Sequence, residues 1–124
     1  MIGLSVVVPV YNEEGNIDKL HLEIKKVCEQ AGYDYEIIFI NDGSSDRTDL
    51  ICRTLKPLKY IRFRRNFGQT AAMDAGIKAA TKEFIATLDG DGQNDPADIP
   101  RMLDYLLEED YDVVSGWRKN RKDT

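Results

Sequence analysis

Short apolar runs alternate with segments of helical periodicity along the whole chain. The run LSVVVPV at residues 4–10 is apolar on both faces, which is typical of a strand covered by helices on both sides. Apolar residues then recur at spacings of three and four, which predicts an amphipathic helix. Continued to the end, the pattern predicts five strands and four helices: strands at 4–10, 35–41, 59–63, 83–88 and 112–116, and helices at about 13–31, 46–55, 66–80 and 99–109.

Strands that alternate with helices favour parallel pairing through crossover connections. We therefore predict a single α/β domain over residues 1–124, a three-layer sandwich with a mainly parallel sheet. Ligands in such folds bind outside the carboxyl ends of the strands. Polar residues gather at four of these predicted ends, in the sequences PVYNEE, NDGSSD, LDGDGQ and SGWR. This edge of the sheet is the predicted functional site.

Several residues predict where the helices begin and end. Gly32 stops the first helix, Ser45 caps the second, and Pro57 ends it. The pair Asn66 and Gln69 has the spacing of a capping box for the third helix. The only histidine of the chain, at position 21 on the first helix, is expected at the surface and has no predicted chemical role.

The composition of the 124 residues excludes some classes of function. A formal net charge of −5 and a pI near 4.9 argue against the broad basic surface of a nucleic-acid-binding protein. Cys28 and Cys52 lie in predicted helices without a CxxC pair, so we expect free thiols. The apolar runs are too short to cross a membrane and no signal peptide is predicted, so we expect a soluble chain.

The stretch LDGDGQNDP follows the fourth predicted strand. Asp89 and Asp91 repel each other unless a cation lies between them, and oxygen ligands, with Gln93 as a further candidate, suit Mg²⁺ or Mn²⁺. A solvated Asx turn explains so short a motif equally well, and phosphatases of the haloacid dehalogenase type also end a strand in D-x-D-G, although that strand is their first. An EF-hand loop is excluded, because its sixth and twelfth positions would hold Asn94 and Pro100.

Two other predicted strand ends carry candidate nucleoside ligands. Pro9 cannot donate to a sheet and marks the end of the first strand, which leaves Tyr11 and Glu13 at the edge. The tyrosine ring offers a flat packing surface, and the glutamate can accept hydrogen bonds from ribose hydroxyls. Asp42 can accept a hydrogen bond from a base N–H. The alternatives are a helix N-terminus capped by Asn12 and an Asx turn at Asp42.

Taken together, five segments resemble the inverting family 2 glycosyltransferases: VVVPVYNEE, FINDGSSD, RNFGQTAAMDAGI, ATLDGDGQNDP and VVSGWRKNRKD. The resemblance runs over essentially the whole chain, in order and with matching spacing. Within the family it is to the branch similar to dolichol-phosphate mannose synthase and bacterial undecaprenyl-phosphate glycosyltransferases. It implies a GT-A fold of the nucleotide-diphospho-sugar transferase type, in the N-terminal part of a longer, membrane-associated enzyme.

The resemblance also implies roles for residues at the nucleoside end of the site. Pro9, Tyr11 and Glu13 match the nucleoside-binding opening of the family, and Asp42 matches the carboxylate that meets the base. Asn41 stands where the family often has a second Asp, which puts a direct role for this residue in doubt.

At the phosphate end, Asp89 and Asp91 match the D-x-D pair of the family, and Gln93 matches a position that adds a metal contact in this branch. Asp91 is the implied principal ligand and catalytic group. Arg118 matches a phosphate-facing arginine, which is implied both to bind substrate and to assist catalysis. In RNFGQ, helix capping is preferred to ligand contact.

The implied reaction moves a hexose-type sugar from a nucleoside diphosphate, UDP in preference to GDP, to a polyprenyl phosphate. Mg²⁺ or Mn²⁺ would neutralise charge on the leaving group, and the anionic acceptor needs no strong general base. The basic residues from Arg118 onward would guide the acceptor, contact a membrane surface at the cytoplasmic face, or form only a solvated tail. The alternative function is a nucleotide-sugar-binding module, and we expect this chain alone to bind the donor without completing transfer. No oligomeric state is predicted.

Overall fold

The structure is a computed structural model that describes residues 1–89 and 95–108 in full and only the backbone of residues 113–114 and 117–119. Its elements in chain order are β1 (Gly3–Val10), α1 (Ile17–Ala31), β2 (Asp34–Asn41), α2 (Thr48–Cys52), β3 (Lys59–Arg62), α3 (Gln69–Ala79), β4 (Phe84–Thr87), a 3-10 turn (Pro96–Asp98), α4 (Ile99–Glu108), β5 (Val113–Val114) and β6 (Trp117–Lys119).

The strands form one six-stranded sheet in the order β3-β2-β1-β4-β6-β5. The first four strands in this order are parallel, whereas β6 is antiparallel to both β4 and β5. Helices α1, α2 and α4 pack on one face of the sheet, and α3 packs on the other. The predicted α/β three-layer sandwich with a mainly parallel sheet is therefore confirmed. The antiparallel strand β6 was not predicted; only a single strand was expected over 112–116.

Strand β1 lies at the centre of the sheet and contributes to the core on both faces. Val6 and Val8 belong to the cluster under α1, Val7 belongs to the cluster under α3, and all three are fully buried. Helix α3 lies close to the sheet, because a Cβ atom at Gly76 would stand only 2.4 Å from a methyl of Val7 and 2.5 Å from one of Ile40. Burial on both faces explains why LSVVVPV has no polar stripe.

Pro9 lies inside β1 and does not end the strand, contrary to the prediction. It pairs in register with Ile40, and β1 continues to Val10. The carbonyl of Val10 accepts from β2, whereas the carbonyl of Val7 accepts from the β4 side, so the nitrogen of Pro9 faces the β4 side too. Strand β4 has already ended at that level. Proline fits this position of the central strand because the pairing of β1 with β4 ends at Val7 and Thr87, before Pro9.

The helix boundaries agree with the predictions in part. Gly32, with φ of 73°, ends α1 as predicted. Ser45 does not cap α2, because the residue at the N-cap is Arg47 and no side chain bonds there. Helix α2 is shorter than predicted and ends at Cys52, well before Pro57.

The predicted capping box of the third helix is wrong. Helix α3 begins at Gln69, its N-cap is Gly68 with φ of 105°, and no side chain caps it. Asn66 therefore lies before the helix rather than at its cap. The side chain of Gln69 is directed instead to the end of β4, as described below.

The expected surface position of His21 is also wrong. The residue is 4% exposed, its Nε2 lies 2.7 Å from the carbonyl oxygen of Pro57, and its ring packs edge-on against Phe39. Its spacing from Ile17 and Ile24 already matches the apolar face of α1. It is a core residue with a satisfied hydrogen bond.

Both cysteines are free thiols, as predicted. Burial raises the pKa of Cys28 and of Cys52 to about 12, so neither is an activated nucleophile. Within the part of the chain that the structure describes, no helix is long and apolar enough to cross a membrane.

Candidate functional site

Parallel pairing brings the carboxyl ends of β1, β2 and β4 to one edge of the sheet. Strands β1 and β2 end opposite each other, and β4 ends beside them, slightly earlier in the register. The edge therefore collects most of the candidate residues that the structure describes: Pro9, Tyr11, Glu13, Asp42 and Asp89. Two further features, Asn12 and the loop before α3, lie at the same edge and were not predicted to contribute.

Tyr11 and Glu13 follow β1 on a backbone that is hydrogen-bonded to the segment between β2 and α2. Tyr11 is 46% exposed, so its side chain is accessible to a ligand at the edge. The backbone N–H of Glu13 donates to Thr48 Oγ1 at 2.9 Å, and its carboxylate accepts from Asn16 Nδ2 at 3.3 Å. The carboxylate is thereby oriented while remaining partly exposed, as a ligand for hydroxyl groups requires.

Asn12 ties the loop after β1 to the loop after β2. Its φ of 51° is in the left-handed region, which Asn tolerates better than most residues. Its side-chain oxygen accepts from the backbone N–H of Ser45 at 2.8 Å, and its own N–H donates to Ser44 Oγ at 2.9 Å. The alternative that Asn12 caps α1 is wrong, because Asn16 occupies that position.

Asp46 and Thr48 complete the connection between the two loops. Thr48 Oγ1 donates to Asp46 Oδ1 at 2.6 Å, and Asp46 also accepts from the backbone N–H of Glu14 at 3.2 Å. Burial opposes ionisation of Asp46, but the side-chain and backbone hydrogen bonds from Thr48 outweigh it and lower its pKa. Much of the polar sequence NDGSSD therefore fixes the loops against each other.

Asp42 links the end of β2 to the loop before α3. It is 4% exposed, its Oδ1 accepts from the N–H of Phe67 at 2.7 Å, and its Oδ2 accepts from the N–H of Gly68 at 3.1 Å. A carboxylate offers about four acceptor positions, so these bonds orient Asp42 and leave capacity for a base N–H. The Asx-type bond at this turn belongs to Asn41 instead, whose Oδ1 accepts from the N–H of Ser44 at 2.9 Å.

The loop before α3 passes directly over Gly43. This glycine has φ of 70°, and a Cβ atom there would stand 2.2 Å from the carbonyl carbon of Arg65. Only glycine permits so close an approach of two backbones. The guanidinium of Arg65 lies 4.7 Å from the centre of the Phe67 ring, in a cation–π contact. The loop is thus held by Asp42 from one side and seated on Gly43.

Asp89 lies at the end of β4 and contacts α3. Gln69 Nε2 donates to Asp89 Oδ1 at 2.9 Å, so the first residue of α3 orients this carboxylate. This contact replaces the role in a helix cap that the sequence predicts for Gln69. A cavity of about 410 Å³ opens on the same side of the helix and is lined by Gln69, Thr70, Met73, Asp74 and Ile77.

Three predicted site positions lie wholly or partly outside the described residues. Asp91 and Gln93 lie outside the described residues, and of Arg118 only the backbone is described, opposite Ile85 in the pairing of β6 with β4. Among the residues that are described, no three His, Cys, Asp or Glu side chains converge on a possible metal position. The predicted metal site thus remains a prediction that depends on Asp91 and Gln93.

Comparisons with known proteins agree with this arrangement. The family described as Glycosyl transferase family 2 matches residues 5–124. Dodecaprenyl-phosphate galacturonate synthase of Rhizobium johnstonii is 44% identical over 127 residues, which cover 98% of this chain and 38% of that protein. Undecaprenyl-phosphate 4-deoxy-4-formamido-L-arabinose transferase of Aeromonas hydrophila is 39% identical over 126 residues, with the same coverage. The chain spans less than half the length of these relatives.

Solved structures show the same fold. Residues 1–349 of S. aureus TarS superpose with a TM-score of 0.64 and 25% identity, over 90% of this chain and 34% of that one. The mannosyltransferase PcManGT from Pyrobaculum calidifontis, solved with GDP-Man and Mn²⁺, gives a TM-score of 0.64 and 23% identity, over 71% of this chain and 27% of that one. The predicted GT-A fold is confirmed by this likeness. The sequence match, the fold and the edge of the sheet lead to one assignment: the chain belongs to glycosyl transferase family 2.

Proposed function

We propose that this chain binds the donor in an inverting glycosyltransferase that moves a sugar from a nucleoside diphosphate, UDP in preference to GDP, to a polyprenyl phosphate. The observation that carries the proposal is the convergence of Tyr11, Glu13, Asp42 and Asp89 at one edge of a parallel sheet. This set combines an exposed ring, a hydroxyl acceptor, a base acceptor and a carboxylate beside the phosphate position. Those are the groups that a nucleoside diphosphate requires.

The names of the relatives support the acceptor class. Both relatives described above are named as enzymes that act with a polyprenyl phosphate, dodecaprenyl phosphate in one and undecaprenyl phosphate in the other. At 44% and 39% identity over nearly all of this chain, we propose the same acceptor class here. The family match argues against the phosphatase alternative, in which the first Asp of D-x-D would be a nucleophile.

A divalent cation, Mg²⁺ or Mn²⁺, fits the donor set that the sequence offers at the end of β4. Asp89 provides a carboxylate that Gln69 already orients, and hard oxygen ligands are those that both ions prefer. Asp91 and Gln93 would complete the ligand set. When bound, such an ion would neutralise charge that develops on the diphosphate leaving group.

The chain's own residues would hold the rest of the donor. Tyr11 would pack against the nucleoside, Glu13 would accept hydrogen bonds from ribose hydroxyls, and Asp42 would accept one N–H from uracil. Arg118 would face the phosphates. The acceptor phosphate would attack the anomeric carbon from the opposite side, and because it is anionic near neutral pH it would need no strong general base. A lipid acceptor would bring the enzyme to a membrane surface, and we propose the cytoplasmic face.

Calorimetry of the chain with UDP and with GDP, each with and without Mn²⁺, tests the donor site. We expect Asp42→Ala to weaken UDP binding by about 1–3 kcal/mol and Asp91→Ala to abolish its dependence on the metal. Asp34→Ala, at the start of β2 and the opposite edge of the sheet, is the matched control and should bind as the parent does. Preference for GDP would refute the choice of uridine, and unchanged affinity in Asp91→Ala would refute the metal site.

A second assay separates donor binding from transfer. The chain is incubated with a UDP-sugar, Mn²⁺ and detergent-solubilised undecaprenyl phosphate, and the lipid-linked sugar is measured. We expect donor binding with at most slow hydrolysis to UDP, because a sugar without a positioned acceptor lacks the proximity that lowers such a barrier. Robust formation of the lipid product would show that the acceptor site also lies in these residues.

A further inference from the structure

A chain of hydrogen bonds runs behind the candidate nucleoside site and ends on a carboxylate of α2. Asn41, at the end of β2, is 1% exposed, and its Nδ2 donates to the hydroxyl of Tyr60 on β3 at 2.9 Å. That hydroxyl donates to Asp49 Oδ1 at 2.6 Å. Asp49 also pairs with Arg53 at 3.0 Å and lies 3.8 Å from Arg62. None of these residues was predicted to take part in the site.

The protons available on the side chains determine the direction of the hydrogen bonds from Asn41 to Tyr60 and from Tyr60 to Asp49. The hydrogen bond from Tyr60 lowers the pKa of Asp49, and the pairing with Arg53 and Arg62 adds to this effect against the opposing effect of burial, so Asp49 is ionised and can only accept. The hydroxyl of Tyr60 has one proton, which it donates to Asp49. Toward residue 41 the hydroxyl can therefore only accept, so residue 41 must present an N–H or O–H donor, which an ionised carboxylate lacks.

The orientation of the Asn41 amide follows from this requirement. With Nδ2 directed to Tyr60, the oxygen of the same amide faces the N–H of Ser44 and accepts from it at 2.9 Å. Ser44 in turn accepts from the N–H of Asn12 through its hydroxyl. The turn that carries Asp42, and the loop after β1 that carries Tyr11, are thus both connected to the Asn41 amide.

We propose that Asn41 is a positioning residue for nucleoside binding, and that the Tyr60–Asp49 pair requires an amide at this position. The inference rests on the proposed function, in which Asp42 meets the base. It gives a physical reason for an Asn where a second Asp is frequent in the resembled family. A carboxylate at position 41 would face the Tyr60 oxygen with no proton between them, because the hydroxyl proton of Tyr60 is already directed to Asp49.

The test reverses the direction of the hydrogen bonds that join residues 41, 60 and 49. In Asn41→Asp, two carboxylates compete for one hydroxyl proton, and we expect UDP affinity to fall about 5- to 30-fold and the Ser44 amide to exchange faster with deuterium. In the double variant with Asp49→Asn, Tyr60 can donate to the new carboxylate at 41 and accept from the new amide at 49. Affinity and Ser44 protection should both recover relative to Asn41→Asp.

Two further variants distinguish positioning from general destabilisation. Tyr60→Phe leaves the Asn41 N–H without its acceptor and should resemble Asn41→Asp in both readouts. Tyr35→Phe is the matched control: its hydroxyl donates to Glu29 Oε2 at 2.7 Å near the opposite end of β2, so its loss should change neither UDP affinity nor Ser44 exchange. If the two tyrosine hydroxyls only stabilised the fold, both variants would have a lower melting temperature. Tyr60→Phe would then not differ from Tyr35→Phe in UDP affinity or in Ser44 exchange.

The outcomes are distinguishable from those of the proposed function. If Asn41→Asp binds UDP and protects Ser44 as the parent does, or if the double variant is no better than Asn41→Asp, the inference is overturned. A loss of affinity with unchanged Ser44 exchange also overturns it. If the parent chain binds neither UDP nor GDP, the proposed function fails, and Ser44 exchange in the same variants still decides whether Asn41 orders the turn.

Discussion

Glu36 joins three strands and the loop before β4 at the end of the sheet away from the candidate site. Its carboxylate accepts from Ser5 Oγ at 2.6 Å, from the Thr81 N–H at 2.6 Å and hydroxyl at 3.0 Å, and from Lys59 Nζ at 3.0 Å. Burial alone would raise its pKa, but the bonds from Ser5, Thr81 and Lys59 outweigh it and lower the pKa from 4.5 to about 2.

The pKa of Glu36 sets the size of its contribution to stability. Each tenfold change in an ionisation constant corresponds to about 1.4 kcal/mol, so the lowering is equivalent to about 3 kcal/mol. Solvent screening of the partly exposed Lys59 reduces this to about 2 kcal/mol. Because the folded pKa lies below the unfolded one, the contribution is complete above about pH 4.5 and is lost as the pH falls toward 2.

Urea unfolding of Glu36→Gln, followed by circular dichroism, checks this value. Near pH 7 we expect the variant to be less stable than the parent by about 2 kcal/mol, and near pH 3 we expect that gap to shrink by about half or more. The control is Asp74→Asn, whose side chain is 61% exposed in its pair with Lys78 and should matter little at either pH. A gap that is the same at both pH values would refute the reasoning.

Three other substitutions follow from the packing of single residues. Gly43→Ala should displace the backbone at Arg65 and weaken UDP binding by about tenfold or more in calorimetry, and binding equal to the parent would contradict the close approach seen here. Gln69→Ala removes the bond to Asp89, and we expect Mn²⁺-dependent UDP binding to fall about 3- to 10-fold while metal-free binding is unchanged. His21→Leu removes the hydrogen bond to the Pro57 carbonyl and should cost about 1 kcal/mol in urea unfolding, with no change in UDP affinity; an effect on affinity would show that α1 communicates with the site.

The strands and the polar edge of the sheet were predictable because their signals are local. The apolar run of β1 and the Gly at the end of α1 depend only on neighbouring residues, and both predictions agree with the structure. The placement of Asp42 and Asp89 at one edge follows from strand alternation alone, since the carboxyl ends of parallel strands coincide.

The errors occur where residues distant in sequence replace a local signal. Asn66 and Gln69 have the spacing of a capping box, but Asp42 binds the N–H groups just before α3, and Gln69 is drawn to Asp89. No pattern within the RNFGQ segment contains those partners. His21 is different, because its position on the apolar face of α1 was already visible from the spacing, and only its residue type suggested the surface.

Gly76 links the packing of α3 against the sheet to the position of Gln69 at the candidate site. In most helices a Gly→Ala change stabilises by about 1 kcal/mol, and it is a routine choice when a protein is engineered for heat resistance. Here a methyl group would meet Val7 and Ile40 and push α3 away from the sheet. Gln69 lies seven residues earlier on the same helix, about 10 Å along its axis, so its amide would move with it relative to Asp89. Gly76→Ala, a stabilising change in most helices, is therefore expected to cost stability here and to weaken donor binding, although Gly76 lies about two helical turns from Gln69.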